Sequence, residues 1–166
     1  MIIGHLPAGY VFAEILARKL SNIGVDHRHL VLIGVLGAIA PDLDMLYFYL
    51  VDNGQRHHHT YWSHYPVVWL GLLAASVGWH RLALNKSRTI LAIVFSAGGF
   101  MHLLLDTIVG DIWWLAPFLN QPYAMFTVPA LYTPWWLNFI LHWSFALELL
   151  LTLWAIVLWR RKAVLL

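Results

Sequence analysis

Residues 89–109, TILAIVFSAGGFMHLLLDTIV, form an apolar run that contains one histidine and one aspartate. The run has the roughly 20 residues that an α-helix needs to cross a hydrocarbon layer about 30 Å thick. His102 and Asp106 are four residues apart, so both side chains lie on one face of a helix. Because an ionisable group in hydrocarbon costs on the order of 2.5 kcal/mol or more, the pair predicts a partner, a metal ion or a water-filled cavity at this level.

The rest of the chain is equally apolar. Hydrophobic residues make up 61% of the 166 residues and charged residues 11%, whereas soluble domains average about 25% charged residues. We therefore predict a single membrane-embedded domain, residues 1–166, with an all-α fold of about five membrane segments. The proline-broken stretch 110–134 is predicted to lie along the interface or to re-enter the membrane. The predicted segments lie near 2–20, 30–50, 65–80, 89–109 and 135–158.

Basic residues indicate how such a bundle is oriented. Lysine and arginine concentrate in short cytoplasmic loops, and with five segments nearly all of them fall on one side. We expect a multi-pass protein of the inner (plasma) membrane with its N-terminus outside and its C-terminus in the cytoplasm. Arg56 is the exception; the inner-side residues are Arg18, Lys19, Arg28, Arg81, Lys86, Arg88, Arg160, Arg161 and Lys162.

Polar side chains from distant segments are predicted to meet at one depth. With a rise of about 1.5 Å per residue, four of them come to roughly 18 to 26 Å above the inner face. These four are His5, Asp42, His102 and His142. The histidine-rich outer loop lies directly above, so we expect a polar cluster in the outer half of the membrane.

Two motifs supply carboxylates to this level. In PDLD (41–44), Pro41 interrupts the helix, and Asp42 and Asp44 can reach one site only where the backbone is irregular. Asp42 could instead cap the helix that resumes after the break. In HLLLD (102–106), the histidine and carboxylate could bind one metal ion, or could form a buried hydrogen bond that stabilises packing.

HHHTYWSH (57–64) supplies four histidines. Such a tract is typical of metal sites and also of solvated polar loops. The spacing leaves open which of His57, His58 and His59 faces the site. Residues that could support the metal ligands from behind are His58, Ser63, Thr107, His142 and Glu148.

Together these motifs resemble a known family. His5, GAIAPDLD (37–44), HTYWSH (59–64) and HLLLDTIVGDIWWLAPF (102–118) are similar to the YdjM-like inner-membrane proteins, a family described as metal-dependent hydrolases and linked by name to LexA. The family pattern H-R-x-x-T-H-S stands here as HTYWSHY, so Thr60 replaces its arginine and Ser63 its threonine. The resemblance implies a metal-ligand set of His5, Asp42, Asp44, His59, His64, His102 and Asp106.

Such a ligand set favours a metal-dependent hydrolase. Seven nitrogen and oxygen ligands exceed the four of one tetrahedral zinc, so we expect two zinc ions, or manganese or iron in their place. The family resembles zinc-dependent phospholipases C, which implies a phosphoesterase. A site in the outer half of the bilayer favours a lipid or lipid-linked substrate, and a metal-activated water would be the nucleophile. No nucleic-acid partner is expected.

Two other interpretations remain open at this point. The same acids and histidines could bind or transport a divalent cation without catalysis, although no inverted repeat typical of secondary transporters is visible. Paired histidines could also bind haem.

The chain has no cysteine, which excludes disulfides, thiolate catalysis and sulfur metal ligands.

Overall fold

The computed structural model describes residues 1–20 and 24–163; residues 21–23 and 164–166, and the side chains of Lys162 and Ala163, lie outside this description. The inner-side position predicted for the Lys162 side chain therefore lies outside this description as well. The described chain is all-α, which confirms the predicted fold class. Its seven α-helices are α1 (His5–Lys19), α2 (His27–Ile39), α3 (Asp44–Leu50), α4 (Pro66–Leu82), α5 (Lys86–Asp106), α6 (Trp136–Ile140) and α7 (Ser144–Ala163).

Helix α5 is the centre of the bundle. It packs against α2 and α4, while α1 packs against α2 and α7 packs against α1. A Cβ atom on Gly37 of α2 would overlap the backbone of Phe95 in α5, so only glycine permits this close approach, as is common between membrane helices. The junction of α1, α2 and α5 buries a small apolar cluster of Ala17, Leu30, Ile90 and Val94.

Local signals fix where the central helices begin. The Asp26 side chain accepts a hydrogen bond from the backbone N–H of His29 at 3.0 Å and starts α2. The Asn85 side chain accepts one from the N–H of Ser87 at 3.0 Å and starts α5. Such caps satisfy N–H groups that have no partner within the helix. These starts set the register in which the Pro41–Leu43 turn after α2 and the polar residues of α5 reach a common level.

Helix length and composition identify one or two candidate membrane spans among the described helices. Among the described helices, α5 alone is long and apolar enough to cross a membrane by itself, and α2 with Pro41–Leu50, bent by 56°, would make a second span. Helices α1 and α4 have 15 and 17 residues, fewer than the roughly 20 of a full span. The five-span arrangement is thus not confirmed and stays a prediction.

Residues 110–134 form an irregular loop over the end of α5. An antiparallel bridge joins Ile112 and Tyr123 through backbone hydrogen bonds of 3.0 and 2.9 Å. The N–H of Met125 donates to the carbonyl of Thr107 at 2.8 Å, which attaches the loop to the last turn of the helix. The loop exposes several large apolar side chains, including Phe118. Its interfacial or re-entrant placement stays a prediction.

Candidate metal centre

The break at Pro41 brings two aspartates to the end of α5. Proline lacks an N–H and crowds the preceding turn, and here Pro41–Leu43 form a 3-10 turn between α2 and α3. Asp42 lies on this turn and Asp44 is the first residue of α3. Helix α3 begins without a side-chain cap in the described chain, so the capping role considered for Asp42 is not observed. The irregular backbone lets both carboxylates reach the same region.

Helix α5 supplies a histidine and a carboxylate from one face. Nε2 of His102 lies 3.0 Å from Oδ2 of Asp106, and both side chains are buried. The carboxylate is also close to the histidine loop, because Nε2 of His64 lies 3.9 Å from the same oxygen. Oδ2 of Asp106 is therefore a point on which side chains from separate segments converge.

Four side chains surround a space of the size that one metal ion needs. Ligand atoms of Asp42, His64, His102 and Asp106 all lie within 4.8 Å of one another. Oδ1 of Asp42 is 3.5 Å from Nε2 of His102 and 3.7 Å from Nε2 of His64. Zinc bonds of about 2.0–2.2 Å place tetrahedral ligand atoms about 3.3–3.6 Å apart. The observed separations of 3.0 to 3.9 Å bracket that value.

Backbone carbonyls orient two of the imidazoles. Nδ1 of His102 lies 2.7 Å from the carbonyl oxygen of Ala38, and Nδ1 of His59 lies 2.9 Å from that of Asp111. A carbonyl only accepts, so each Nδ1 must carry a proton, and in the neutral ring Nε2 is then the nitrogen with a lone pair for a metal ion. Nε2 of His59 is 3.5 Å from Oδ2 of Asp106. Metal-binding histidines are held in the same way by a donor bond from their other nitrogen.

A carboxylate orients the third imidazole. Nδ1 of His64 donates to Oδ2 of Asp44 at 2.7 Å, and the Ser63 hydroxyl donates to the same oxygen at 2.6 Å. The indole N–H of Trp69 donates to the carbonyl of Ser63 at 2.7 Å, which holds this segment against α4. Asp44 therefore lies behind the His64 ring, while Nε2 of His64 faces Asp42.

Three atoms at the centre lack hydrogen-bond partners within the described chain. They are Nε2 of His64, Nε2 of His102 and Oδ2 of Asp106, and all are buried. Buried polar atoms are almost always satisfied, so a group of such atoms calls for an explanation. A cation between two nitrogen lone pairs and a carboxylate oxygen would satisfy all three. The residues present thus fit a metal ion.

His5 meets the other oxygen of the same carboxylate. Its Nε2 lies 3.0 Å from Oδ1 of Asp106, and its ring stacks on His102 with centroids 3.6 Å apart. The amino group of Met1 donates to Oδ1 at 2.5 Å. The structure therefore brings His5 to the centre at Oδ1 of Asp106, whereas His64 and His59 approach Oδ2.

Charge at the centre favours a divalent cation. Burial lowers the pKa of His59 well below its ordinary value, so this imidazole is neutral. Burial also opposes a charge on His64, but the Asp42 and Asp44 carboxylates outweigh it and raise the pKa of His64. The cluster thus attracts a proton in the absence of other cations. A metal ion must displace that proton, so metal binding should strengthen as the pH rises.

The structure separates the three adjacent histidines that the sequence left unassigned. His59 faces Asp106, as described above. His58 lies closer to Asp44, with Nδ1 of the histidine 3.8 Å from Oδ1 of the carboxylate. His57 accepts a hydrogen bond from the backbone N–H of His59 at 3.3 Å. Ligand atoms of His58, His59 and His64 form a second group within 4.8 Å.

The remaining predicted residues lie around the centre or away from it. Glu148 accepts hydrogen bonds from the backbone N–H groups of Ile2, Ile3 and Gly4, and thereby fixes the segment that leads into His5. The Thr107 hydroxyl donates to the carbonyl of Leu103 and accepts from the Trp114 indole. His142 pairs with Ser144 at 2.9 Å and is not brought into the group.

Sequence reasoning missed four positions that shape the centre. The carbonyls of Ala38 and Asp111 orient histidines, but backbone atoms leave no residue-type signal. Trp69 lies in an apolar helix, where a tryptophan gives no sign that its indole N–H holds the carbonyl of Ser63. Gly110 was detectable only as a glycine after α5; a Cβ atom there would lie 2.9 Å from Cε1 of His59, so glycine leaves room for that ring.

A chamber of about 460 Å³ opens beside the centre. Asp42, Asp106 and the three adjacent histidines are among its polar lining residues. Phe126, Trp135 and Phe139, from the loop and the start of α6, are among its apolar ones. The centre is therefore accessible from a cavity with both polar and apolar walls.

The fold and site define an all-α protein with a buried candidate metal centre between its helices. The sequence model of the YdjM inner membrane protein family matches residues 1–165. The chain belongs to this family, which confirms the resemblance seen in its motifs. No curated protein and no solved structure matches the chain.

Proposed function

We propose that this chain is an integral membrane hydrolase that depends on divalent metal ions and cleaves a phosphoester of a lipid or lipid-linked substrate. The observation that best supports this is a group of buried possible metal-ligand atoms without hydrogen-bond partners. These atoms, Nε2 of His64 and Nε2 of His102, converge on Oδ2 of Asp106. Asp106 also lines the chamber, whose walls combine polar and apolar residues. Such a chamber suits a substrate that is itself polar at one end and apolar at the other.

Two zinc ions are the proposed cofactor. Imidazole and carboxylate ligands without sulfur suit zinc, with manganese or iron as alternatives. Asp42, His64, His102 and Asp106 would hold one ion. His59, whose Nε2 lies 3.5 Å from Oδ2 of Asp106, would be a ligand of the second. When bound, the metal ions supply Lewis acidity toward a phosphoryl oxygen and make water a better nucleophile.

The chain itself would position the substrate and move a proton. The apolar wall of the chamber would exclude bulk water from the phosphoester, which strengthens the electrostatic interactions there. His58 lines the chamber, and its imidazole would donate a proton to the leaving alkoxide. Asp44, 3.8 Å from Nδ1 of His58, would orient that ring.

The test combines metal content with turnover. Detergent-purified wild type and the variants His102→Ala and Asp106→Ala are analysed by inductively coupled plasma mass spectrometry. His142→Ala is the matched control, because His142 pairs with Ser144 outside the group. About two zinc ions per chain in wild type and control, with loss in both site variants, is the expected result.

Each preparation is then incubated with vesicles of phosphatidylethanolamine and phosphatidylglycerol, and released phosphate-containing head groups are measured. Release by wild type and control, but not by the site variants, supports the hydrolase. Stoichiometric metal without any release from these lipids argues against it and favours the non-enzymatic alternative, a divalent-cation binding or transport protein. Ion flux in liposomes separates binding from transport.

A further inference from the structure

A second cavity of about 750 Å³ runs between α1, α2 and α7. It is a groove with almost entirely apolar walls. Helix α1 contributes one wall, α2 a second and α7 the third. Representative lining residues are Leu6, Tyr10, Val35, Ile39, Ala155 and Ile156.

The groove meets the candidate metal centre at one end. His5 and Asp42 are its polar lining residues at that end, and Ile2 and Asp42 line both the groove and the polar chamber. Asp42 is one of the four residues grouped around Asp106. An apolar passage and a polar chamber therefore share the same carboxylate.

The direction of the groove follows from α7. Glu148, near the start of this helix, binds the backbone of Ile3 and Gly4 just before His5, so the beginning of α7 is the end closer to the centre. Thr152 and Trp159 both line the groove. Seven residues of helix span about 10 Å, so the groove leads at least that far from the centre along the bundle.

We propose that this groove binds one alkyl chain of a lipid and places the phosphoester of that lipid in the chamber beside Asp42. The proposal rests on the proposed function, since it names how the lipid substrate of that site is held. An alkyl chain has no hydrogen-bonding groups, as apolar walls require. A peptide in the same groove would bring backbone N–H and C=O groups that these walls cannot satisfy.

The groove would serve to position the chain rather than to bind it tightly. Surrounding lipid tails are as apolar as the groove, so transfer between them gains little beyond packing. The groove would instead favour the reaction by holding the scissile bond near the centre, because a fixed geometry removes much of the entropic barrier of a reaction.

Photo-crosslinking tests the occupancy of the groove without requiring turnover. The full chain is reconstituted with chelator present in phosphatidylethanolamine–phosphatidylglycerol vesicles that contain phosphatidylethanolamine with a diazirine on its acyl chain. After irradiation, labelled positions are mapped by peptide mass spectrometry. We expect labelling concentrated on groove residues such as Val35 and Thr152.

Ile156→Trp would fill the groove, and Leu153→Trp is its matched control on the same helix. The two side chains are similarly exposed, 43% for Ile156 and 57% for Leu153, but Leu153 does not line the groove. We expect about tenfold less labelling at Thr152 in the groove variant, equivalent to about 1.4 kcal/mol, and no change in the control. Val35→Phe, on the opposite wall, should act like Ile156→Trp.

Even labelling of all lipid-facing residues, Leu153 included, would overturn the proposal, as would equal labelling of Thr152 in both tryptophan variants. The two proposals fail separately. Groove labelling in a chain that binds no metal and releases no head group would retain the alkyl-chain site and reject the hydrolase. The opposite result is head-group release by wild type, with turnover and labelling unchanged in Ile156→Trp and Val35→Phe. It would retain the hydrolase and reject the alkyl-chain site in the groove.

Discussion

Oδ2 of Asp44 accepts a hydrogen bond from Nδ1 of His64 at 2.7 Å, while Nε2 of the same ring faces the buried space beside Asp42. The bond fixes which nitrogen carries the proton and leaves the other free to bind a cation. Asp44, two residues after the candidate ligand Asp42, thus acts through His64, which is 20 positions away. This arrangement, a carboxylate behind an imidazole, is common in zinc sites.

Replacing this carboxylate should weaken metal binding. In Asp44→Asn the amide can turn its N–H groups toward Nδ1 of His64. Nδ1 would then accept a hydrogen bond, and the proton of the neutral ring would move to Nε2, the nitrogen that should bind the metal. We expect zinc affinity to fall by about 10- to 100-fold, measured by competition with a chromophoric chelator. Asp52→Asn is the control, because Asp52 accepts from the backbone of Arg56 away from the centre. Equal affinity in both variants would show that Asp44 does not support His64.

Metal should stabilise the folded chain through the centre. A ligand at 100 times its Kd adds about 2.7 kcal/mol to the free energy of unfolding. We therefore expect zinc to raise the melting temperature of wild type in detergent, and chelator to lower it. Asp106→Ala should show no zinc-dependent shift, since its carboxylate lies nearest the other ligand atoms. A zinc-dependent shift of wild-type size in this variant would place the metal elsewhere.

Gly110 should be needed for His59 to reach the centre. In Gly110→Ala the new Cβ would lie 2.9 Å from Cε1 of His59 and 3.0 Å from the carbonyl of Asp106, so the imidazole must move. We expect lower zinc content per chain. Gly71→Ala on α4 is the matched control, because nothing lies within 4 Å of its Cβ position, and alanine there should be neutral or stabilising by up to about 1 kcal/mol.

Glu148 should hold the segment before α1. Its carboxylate accepts backbone hydrogen bonds from Ile2, Ile3 and Gly4. Glu148→Ala leaves these donors without their acceptor, at a cost of about 1–3 kcal/mol, measured by unfolding in mixed detergent and SDS. Leu149→Ala, at an exposed neighbouring position, should have a smaller effect. Similar losses in both variants would argue against this role.

The absence of native cysteine makes the proposed orientation directly testable. Arg56→Cys should react in intact cells with a membrane-impermeant maleimide, because its loop is expected outside. Asn85→Cys, between Arg81 near the end of α4 and Lys86 at the start of α5, should react only after permeabilisation. Labelling of the Asn85→Cys variant alone in intact cells would reverse the predicted topology.

The sequence by itself determined the helical class, the family and the pairing within α5. These follow from local rules: an apolar run of this length forms a helix, and residues four apart share its face. Pro41 likewise marked the break that lets Asp42 and Asp44 reach one region. Helix length alone did not fix the number of membrane spans, because α1 has 15 residues, fewer than the roughly 20 of a full span.

Only the tertiary structure decided how the side chains divide their tasks. The Ala38 carbonyl that orients His102 is 64 positions away, and the Asp111 carbonyl that orients His59 is 52 positions away. Such contacts depend on how close α2 approaches α5 and on the path of the loop after Gly110. Because backbone carbonyls are the same at every residue, no sequence pattern distinguishes the ones that meet an imidazole; packing alone selects them.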